Sequence, residues 1–312
     1  MSKYLITGGA GFIGSNIAEN LINAGHSVRV IDNLSTGKLE NIQPFMDKID
    51  FIQADLTDYS TAQKAVDGVD YIIHQAAIPS VPRSVADPMA TNESIVTATV
   101  NLFKAAVDAK TVKRIVQAAS SSAYGDTPTL PKKEDMIPNP LSPYAVAKLT
   151  QEYYAKAFYN VYGLEVLSLR YFNIFGPKQD PTSFYSAVIP KFITIMMQGK
   201  QPVIYGDGLT SRDFTYIDNV VDANLRACTC AWPGNAEVMN IGCGERITLN
   251  NLIESINSIL GMYIEPKYEG ERIGDVKHSL ADITKAKSII GYEPKVSVNE
   301  GLKKLVDWMK GA

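Results

Sequence analysis

The 312-residue chain predicts an α/β fold, a doubly wound parallel sheet with a smaller C-terminal α/β lobe. Three observations carry that expectation. Short apolar runs at 4–7, 28–32, 51–55, 71–74, 114–118 and 166–169 alternate with helical patterns at 13–24, 61–66, 95–107 and 144–162. Apolar runs separated by helices read as parallel strands joined by helical crossovers. A glycine-rich turn, Gly8-Gly9-Ala10-Gly11-Phe12-Ile13-Gly14, follows the first run and opens the first helix. After Gly176-Pro177 the texture changes: Pro and Gly become frequent and the strands shorter. The main boundary is therefore placed near 176, giving a Rossmann-type domain over 1–176 and a smaller lobe over 177–312. A run at 238–241 can return to the sheet, interleaving the two through 211–241. Further helices are expected at 187–197, 219–227, 249–260 and 299–310.

Composition narrows the function. Hydrophobic residues make up 46% and charged residues 20%, ordinary for a globular protein. The net charge of −3 provides no basic field, so no nucleic-acid partner is implied. Cys228, Cys230 and Cys243 lack metal-site spacing and are too few for a disulfide framework; they read as small core residues, and no metal is expected. No basic segment precedes an apolar stretch, and no apolar run reaches ~18 residues, so no membrane partner is implied and a cytoplasmic protein is expected.

In chain order, each strand end carries a chemical signal. Gly8 permits a tight turn, Gly11 lets backbone approach a pyrophosphate, and Gly14 lets helix and strand pack closely. Phosphates would rest on the helix N-terminus at Phe12 and Ile13. Asp32, with Asn33 beside it, ends the second run where a carboxylate binds the adenosine ribose hydroxyls. It would repel the extra phosphate of NADP, so NAD is the expected cofactor. Asp55-Leu56 follows the third run, where Asp55 either contacts adenine or caps a helix. His74 reads as structural, while small Ala76 and Ala77 let a dinucleotide pass close by. Ser120-Ser121-Ser122 ends the fifth run. Then comes Ser142-Pro143-Tyr144-Ala145-Val146-Ala147-Lys148. Ser142 can cap a helix and Pro143 suits its first position. Tyr144 and Lys148 then share a face, where the ammonium would favour the phenolate and let Tyr144 work as a base.

Together these motifs resemble the extended short-chain dehydrogenase/reductase superfamily, and within it the nucleotide-sugar 4-epimerases. Leu169-Arg170-Tyr171-Phe172-Asn173, Gly206-Asp207-Gly208, Arg212-Asp213-Phe214 and Gly274-Asp275 add to the likeness, which covers nearly the whole chain. The runs Ser80-Val81-Pro82-Arg83-Ser84, Gln179-Asp180-Pro181 and His278-Ser279-Leu280-Ala281-Asp282-Ile283 look like the UDP-N-acetylglucosamine 4-epimerase group. The resemblance implies catalytic Tyr144, Lys148 and Ser120. Tyr144 takes the 4-hydroxyl proton, Lys148 holds the nicotinamide ribose, and Ser120 hydrogen-bonds the reacting oxygen, with Ser121 and Ser122 sharing that work. It sets Tyr171 and Phe172 near the nicotinamide and Asn173, Arg212 and Arg272 on the substrate diphosphate. Asp275 would take the uridine hydroxyls, with Val188 and Tyr205 near the base. Small Ser279 implies room for an N-acetyl group. A homodimer is implied through the helices near 95–107 and 144–160, whose apolar residues Leu102, Phe103, Ala106, Tyr153, Ala157 and Phe158 could equally pack on the sheet.

Dehydratases of this superfamily carry an Asp-Glu pair after the catalytic Thr, and the decarboxylases usually keep a Glu. Ser121 and Ser122 do not titrate near neutral pH, which favours epimerisation of a UDP-N-acetylhexosamine. UDP-glucose/galactose and UDP-uronic acid epimerases remain alternatives, the latter wanting a cation such as Arg83. From another class, a non-catalytic NAD-dependent sensor would keep the same fold. One departure stands out: Ile95 replaces an Asn that in the family reaches the cofactor side, and Ala98 replaces a Gly. Asn92 could substitute.

Overall fold

The computed structural model describes residues 1–180, 188–270 and 277–311. The chain opens with β1 (Lys3–Thr7), α1 (Phe12–Asn23), β2 (Ser27–Asp32), β3 (Ile49–Gln53), α2 (Tyr59–Val66) and β4 (Tyr71–His74). It continues through α3 (Val81–Ala86), α4 (Pro88–Asn92), α5 (Ala98–Ala109), β5 (Arg114–Ser120), α6 (Pro143–Tyr162) and β6 (Val166–Tyr171). Beyond these lie β7 (Ile174–Phe175), α7 (Val188–Met197), β8 (Val203–Tyr205), β9 (Ser211–Arg212), β10 (Thr215–Tyr216), α8 (Ile217–Thr229) and β11 (Val238–Ile241). The last elements are β12 (Ile247–Thr248), α9 (Leu249–Leu260), β13 (Lys267–Glu269), α10 (Thr284–Ile290) and α11 (Val298–Gly311).

Seven strands form one sheet in the order β11-β6-β5-β4-β1-β2-β3. Every neighbouring pair is parallel, as runs apolar on both faces require. Side chains alternate between two cores. Leu5, Ile31, Ile72 and Ile115 pack under α2, α5 and α6, while Ile6, Val30, Ile73 and Val116 pack on the side of α1 and α8. From β1 the chain runs outward one way to β2 and β3 and the other way to β4, β5 and β6. The reversal leaves a crevice at the carboxyl ends of β1 and β4, the usual ligand position in open α/β sheets.

Past β6 the chain leaves the sheet and then returns. β11 pairs with β6 with Met239 opposite Leu169. The remaining short strands form three two-stranded pairs, β10 with β7, β12 with β9 and β13 with β8. The expected helix starting at 95 differs in detail. A π-helical segment, Glu93–Thr97, joins α4 to α5, so the regular α-helix begins at Ala98. Among the described residues, no helix is long and apolar enough to cross a membrane.

Candidate active site

A cleft of about 610 Å³ runs along the carboxyl ends of β1, β2, β4, β5 and β6. At its floor, Gly8 has φ +65°, and a Cβ there would stand 2.8 Å from the Cα and N of Ala76. A Cβ on Gly14 would strike the carbonyl oxygen of Gly8. Gly11 caps α1 with no side-chain hydrogen bond, and no acidic residue stands in the first turn. The positive end of α1 thus opens onto the cleft at Gly11, Phe12, Ile13 and Gly14. These are the features of an anion cradle for a dinucleotide pyrophosphate.

Asp32 marks one end of the cleft. Its oxygens accept from the backbone amides of Ala10 (2.9 Å) and Leu34 (2.8 Å), so the carboxylate also organises the glycine turn and the loop after β2. Burial pushes its pKa up, and the two amides oppose that. A carboxylate accepting two hydrogen bonds keeps further acceptor capacity for a diol. Asn33 donates to Asp55 at 2.7 Å, so these two expected cofactor residues are coupled. Burial works against the Asp55 carboxylate, but Thr57 and Asn33 donors outweigh it and hold the pKa low. The N-cap of α2 is Asp58, which accepts from Ser60, so the helix-capping alternative for Asp55 falls away. Leu56, Ala76 and Ala77 line the same end and the middle of the cleft. His74 bonds through both ring nitrogens, to Thr7 (2.7 Å) and Thr99 (3.0 Å), and burial drives its pKa down to about 3. It is a neutral structural residue.

At the other end, Ser142 accepts from Ala145 at 3.2 Å and Pro143 is the first residue of α6. That start places Tyr144 and Lys148 on the cleft wall beside Ser120 and Ser121. Ser120 Oγ accepts from the Ser122 amide (3.2 Å) and hydroxyl (2.9 Å), capping a tight turn over Ser121–Tyr124. Ser122 therefore supports Ser120 and does not line the cleft itself. The electrostatics differ from the sequence expectation. Burial pushes the Tyr144 phenol up, and the offset comes from a hydrogen bond with Ser120. Lys148 Nζ donates instead to the Ala118 carbonyl at 2.8 Å. Burial lowers its pKa to about 7, with Glu152 acting the other way. An ammonium so poised needs a further anionic or hydroxyl partner to stay charged in this setting.

Tyr171 lines the cleft, with its hydroxyl held by Gln75 (3.0 Å) and Asn224 (2.8 Å). Phe172 does not. It is fully buried against Tyr124, with Ala281 in the same cluster, because neighbours at a strand end face opposite ways. Asn173 lines the cleft with φ +35°, a backbone state Asn tolerates better than most residues. Its amide donates to the Asp213 carbonyl (2.9 Å) and to Ser279 Oγ (3.0 Å). The loop after β6 is thereby tied to the His278–Ile283 run. Arg212 donates to the carbonyls of Ser211 and Lys277. Arg212, Val188, Tyr205 and Ser279 stand outside the cleft lining, and Arg272 and Asp275 lie outside the described residues.

Several cleft residues had no clear sequence signal. Lys38, after Asp32, meets Asp180 across the cleft at 2.8 Å. Lys178 pairs with Glu19 on α1 at 2.6 Å. Ile95, flagged as the departure from the family pattern, is fully buried. Ser94 and Ala98, one turn apart, line the cleft instead, and Asn92 is exposed outside it. Arg83, at the start of α3, lines the rim.

Known proteins sharpen this geometry. Residues 4–242 match the model of the NAD dependent epimerase/dehydratase family. The chain is 39% identical over 308 residues to a putative UDP-glucose 4-epimerase of Methanocaldococcus jannaschii, covering 98% of each. Among solved structures it superposes at TM-score 0.94 on a UDP-N-acetylglucosamine 4-epimerase from Methanobrevibacter ruminantium in complex with UDP-N-acetylmuramic acid. That pair is 41% identical and covers 99% and 98% of the two chains. A UDP-glucuronic acid 4-epimerase from Bacillus cereus, solved with UDP-glucuronic acid and NAD, matches at 31% identity and TM-score 0.90 over 99% of both.

Proposed function

We propose that this chain, which belongs to the NAD dependent epimerase/dehydratase family, is a UDP-sugar 4-epimerase that acts on UDP-N-acetylhexosamines, interconverting UDP-GlcNAc and UDP-GalNAc. The observation that carries the reaction class is the convergence of Ser120, Tyr144 and Lys148 on one cleft whose serine turn offers no acid. Bound NAD, the family's cofactor, would supply a reversible hydride acceptor for sugar carbon 4. The glycine turn and α1 would hold its pyrophosphate, Asp32 its adenosine ribose and Lys148 its nicotinamide ribose.

Tyr144 takes the proton from the 4-hydroxyl and later returns it. Ser120, hydrogen-bonded to the phenol, holds the reacting oxygen in line with it. A ribose hydroxyl on Lys148 would replace part of the solvation lost to burial and keep the ammonium charged beside the phenolate. Asn173, with Arg212 and Arg272, anchors the diphosphate while the 4-keto sugar turns its other face. Val188, Tyr205 and Asp275 would take the uridine. Ser279 stands behind cleft-lining Asn173, to which it is bonded, and its small side chain would leave room for an N-acetyl group.

The test is NMR of product mixtures after incubation with UDP-GlcNAc, UDP-glucose and UDP-glucuronic acid. Epimerisation of UDP-GlcNAc at least tenfold faster than the others is expected, and Tyr144→Phe should lower turnover by about 10³-fold or more while UDP-sugar binding persists. A second reading, a UDP-uronic acid epimerase, draws on Arg83, an exposed guanidinium at the cleft rim able to pair with a carboxylate at carbon 6. Faster turnover of UDP-glucuronic acid would favour it. The chain is further proposed to act as a homodimer.

A further inference from the structure

Helix α6 carries a third polar side chain on the stripe that holds its first two. Tyr144, Lys148 and Glu152 follow one another at four-residue spacing, each one turn beyond the last. Glu152 is 7% exposed, and its two oxygens accept from Arg170 Nε at 2.8 Å and Nη2 at 2.7 Å. Arg170, 3% exposed, precedes cleft-lining Tyr171 on β6. Its guanidinium lies 4.7 Å from the ring centre of Tyr124, the last residue of the turn that Ser120 caps. The Tyr124 hydroxyl donates in turn to Asn240 at 2.7 Å. The forked pair therefore joins the helix of Tyr144 and Lys148, the strand of Tyr171 and the turn of Ser120.

Stability does not account for such a pair. Desolvating two ions offsets most of their attraction, and apolar side chains of similar volume would hold helix and strand as well. Arg170 Nη1 is moreover buried without a hydrogen-bond partner, so the network is not fully satisfied. What the ions add is fixed charge at a chosen place. Among the described residues, the titratable and charged groups around Lys148 are Tyr144 and Glu152 on its own helix, His74 on β4, and Arg170 on β6 behind Glu152. His74 is held neutral by burial. Glu152 is the carboxylate that acts on Lys148, against the burial that favours its neutral amine.

We propose that Glu152, held by Arg170, is a positioning residue that sets α6 against the serine turn and keeps Lys148 protonated while cofactor and substrate exclude water. This rests on the reading of Tyr144 and Lys148 as the catalytic dyad. Losing the carboxylate removes a buried anion that opposes deprotonation and leaves the Arg170 charge uncompensated nearby. Both effects release the Lys148 proton at lower pH.

The experiment uses NAD-loaded protein and the pH profile of kcat/KM for the best UDP-sugar. In Glu152→Gln the alkaline limb is expected to move down by about half a pH unit or more, with KM at the optimum changed less than about threefold. The double variant Glu152→Gln/Arg170→Met removes both charges and should move the limb down by less than the single variant. If circular dichroism shows that Glu152→Gln does not fold, the double variant is compared with wild type, and a downward shift supports the proposal. An unmoved alkaline limb in a folded, NAD-loaded variant, with Tyr144→Phe inactive, overturns the role of Glu152 and leaves the dyad standing. Near-normal turnover in Tyr144→Phe overturns the dyad reading, and this inference with it.

Discussion

At Gly14 a single hydrogen in place of a methyl lets α1 start directly on the glycine turn. A Cβ there would meet the Gly8 carbonyl oxygen and come within 2.8 Å of the Gly9 Cα, both backbone atoms that no side-chain rotation can clear. Gly14→Ala should therefore push α1 away from β1, open the anion cradle and weaken NAD binding by about tenfold or more. The strain also costs about 1–3 kcal/mol of stability. Bound dinucleotide, read from the absorbance of the purified protein before and after denaturation, checks the first effect, and thermal unfolding the second. Full NAD content in the variant would contradict this account. Such positions are legible in a sequence because backbone geometry dictates the residue type: only glycine fits, and only an acid accepts from Ala10 and Leu34 as Asp32 does. Phe172 was not legible. Whether it or Tyr171 faces the cleft depends on the phase of β6 at its last residue, which the shared apolar character of the two rings hides.

Elements decide which residues reach the site, and here the informative one is irregular. Between α4 and α5 the segment Glu93–Thr97 winds as a π-helix, widening one turn within an otherwise continuous helical run. The family pattern marks position 95, but Ser94 stands four residues before cleft-lining Ala98 and Ile95 seven before buried Leu102, so Ser94 shares the cleft face and Ile95 the core. Within this segment Ile95 is buried and Ser94 lines the cleft, and π-bulges often sit at functional sites. Ser94→Ala should weaken NAD or UDP-sugar binding about three- to tenfold, the worth of one hydrogen bond. Asn92→Ala, on the exposed side, should change it by less than about twofold. Calorimetric titration of both variants decides between them, and the reverse order of effects would restore Asn92 as the substitute. The α6 start was readable by contrast, because a Ser cap followed by Pro leaves little choice of boundary. No comparable sequence marker exists for a π turn, nor for the reach of Lys38 to Asp180, which depends on how two distant loops meet.

For the molecule as a whole, the surface question is what covers the outer face of α6. Of the six expected dimer residues, Leu102, Phe103, Ala106 and Phe158 are buried within the protomer, under the α2, α5 and α6 layer, whereas Tyr153 and Ala157 on α6 are exposed. Other exposed apolar side chains are Val146, Tyr153 and Val161 on α6, Tyr162 at its end against Phe158, and Val81, Val85 and Met89 on α3 and α4. Both short helices pack on α6, so these seven residues belong to three helices in mutual contact. They are seven of the 16 exposed large apolar residues among the described ones, a concentration that a monomer rarely leaves in water. A two-fold axis over α6 would pair this face with itself, as isologous dimers do, and about 800 Å² per protomer would suffice for a stable contact. Sedimentation at micromolar concentration should give about twice the 34.1 kDa chain mass. Tyr153→Glu combined with Met89→Glu should shift the mass to a single chain, since two carboxylates on each side of the axis would be buried without partners. A wild-type monomer, or a double variant that sediments unchanged, would move the interface elsewhere. Because α6 also carries Tyr144 and Lys148, the same experiment read with turnover tells whether the dimer steadies the dyad. The monomeric variant should then lose kcat with little change in KM.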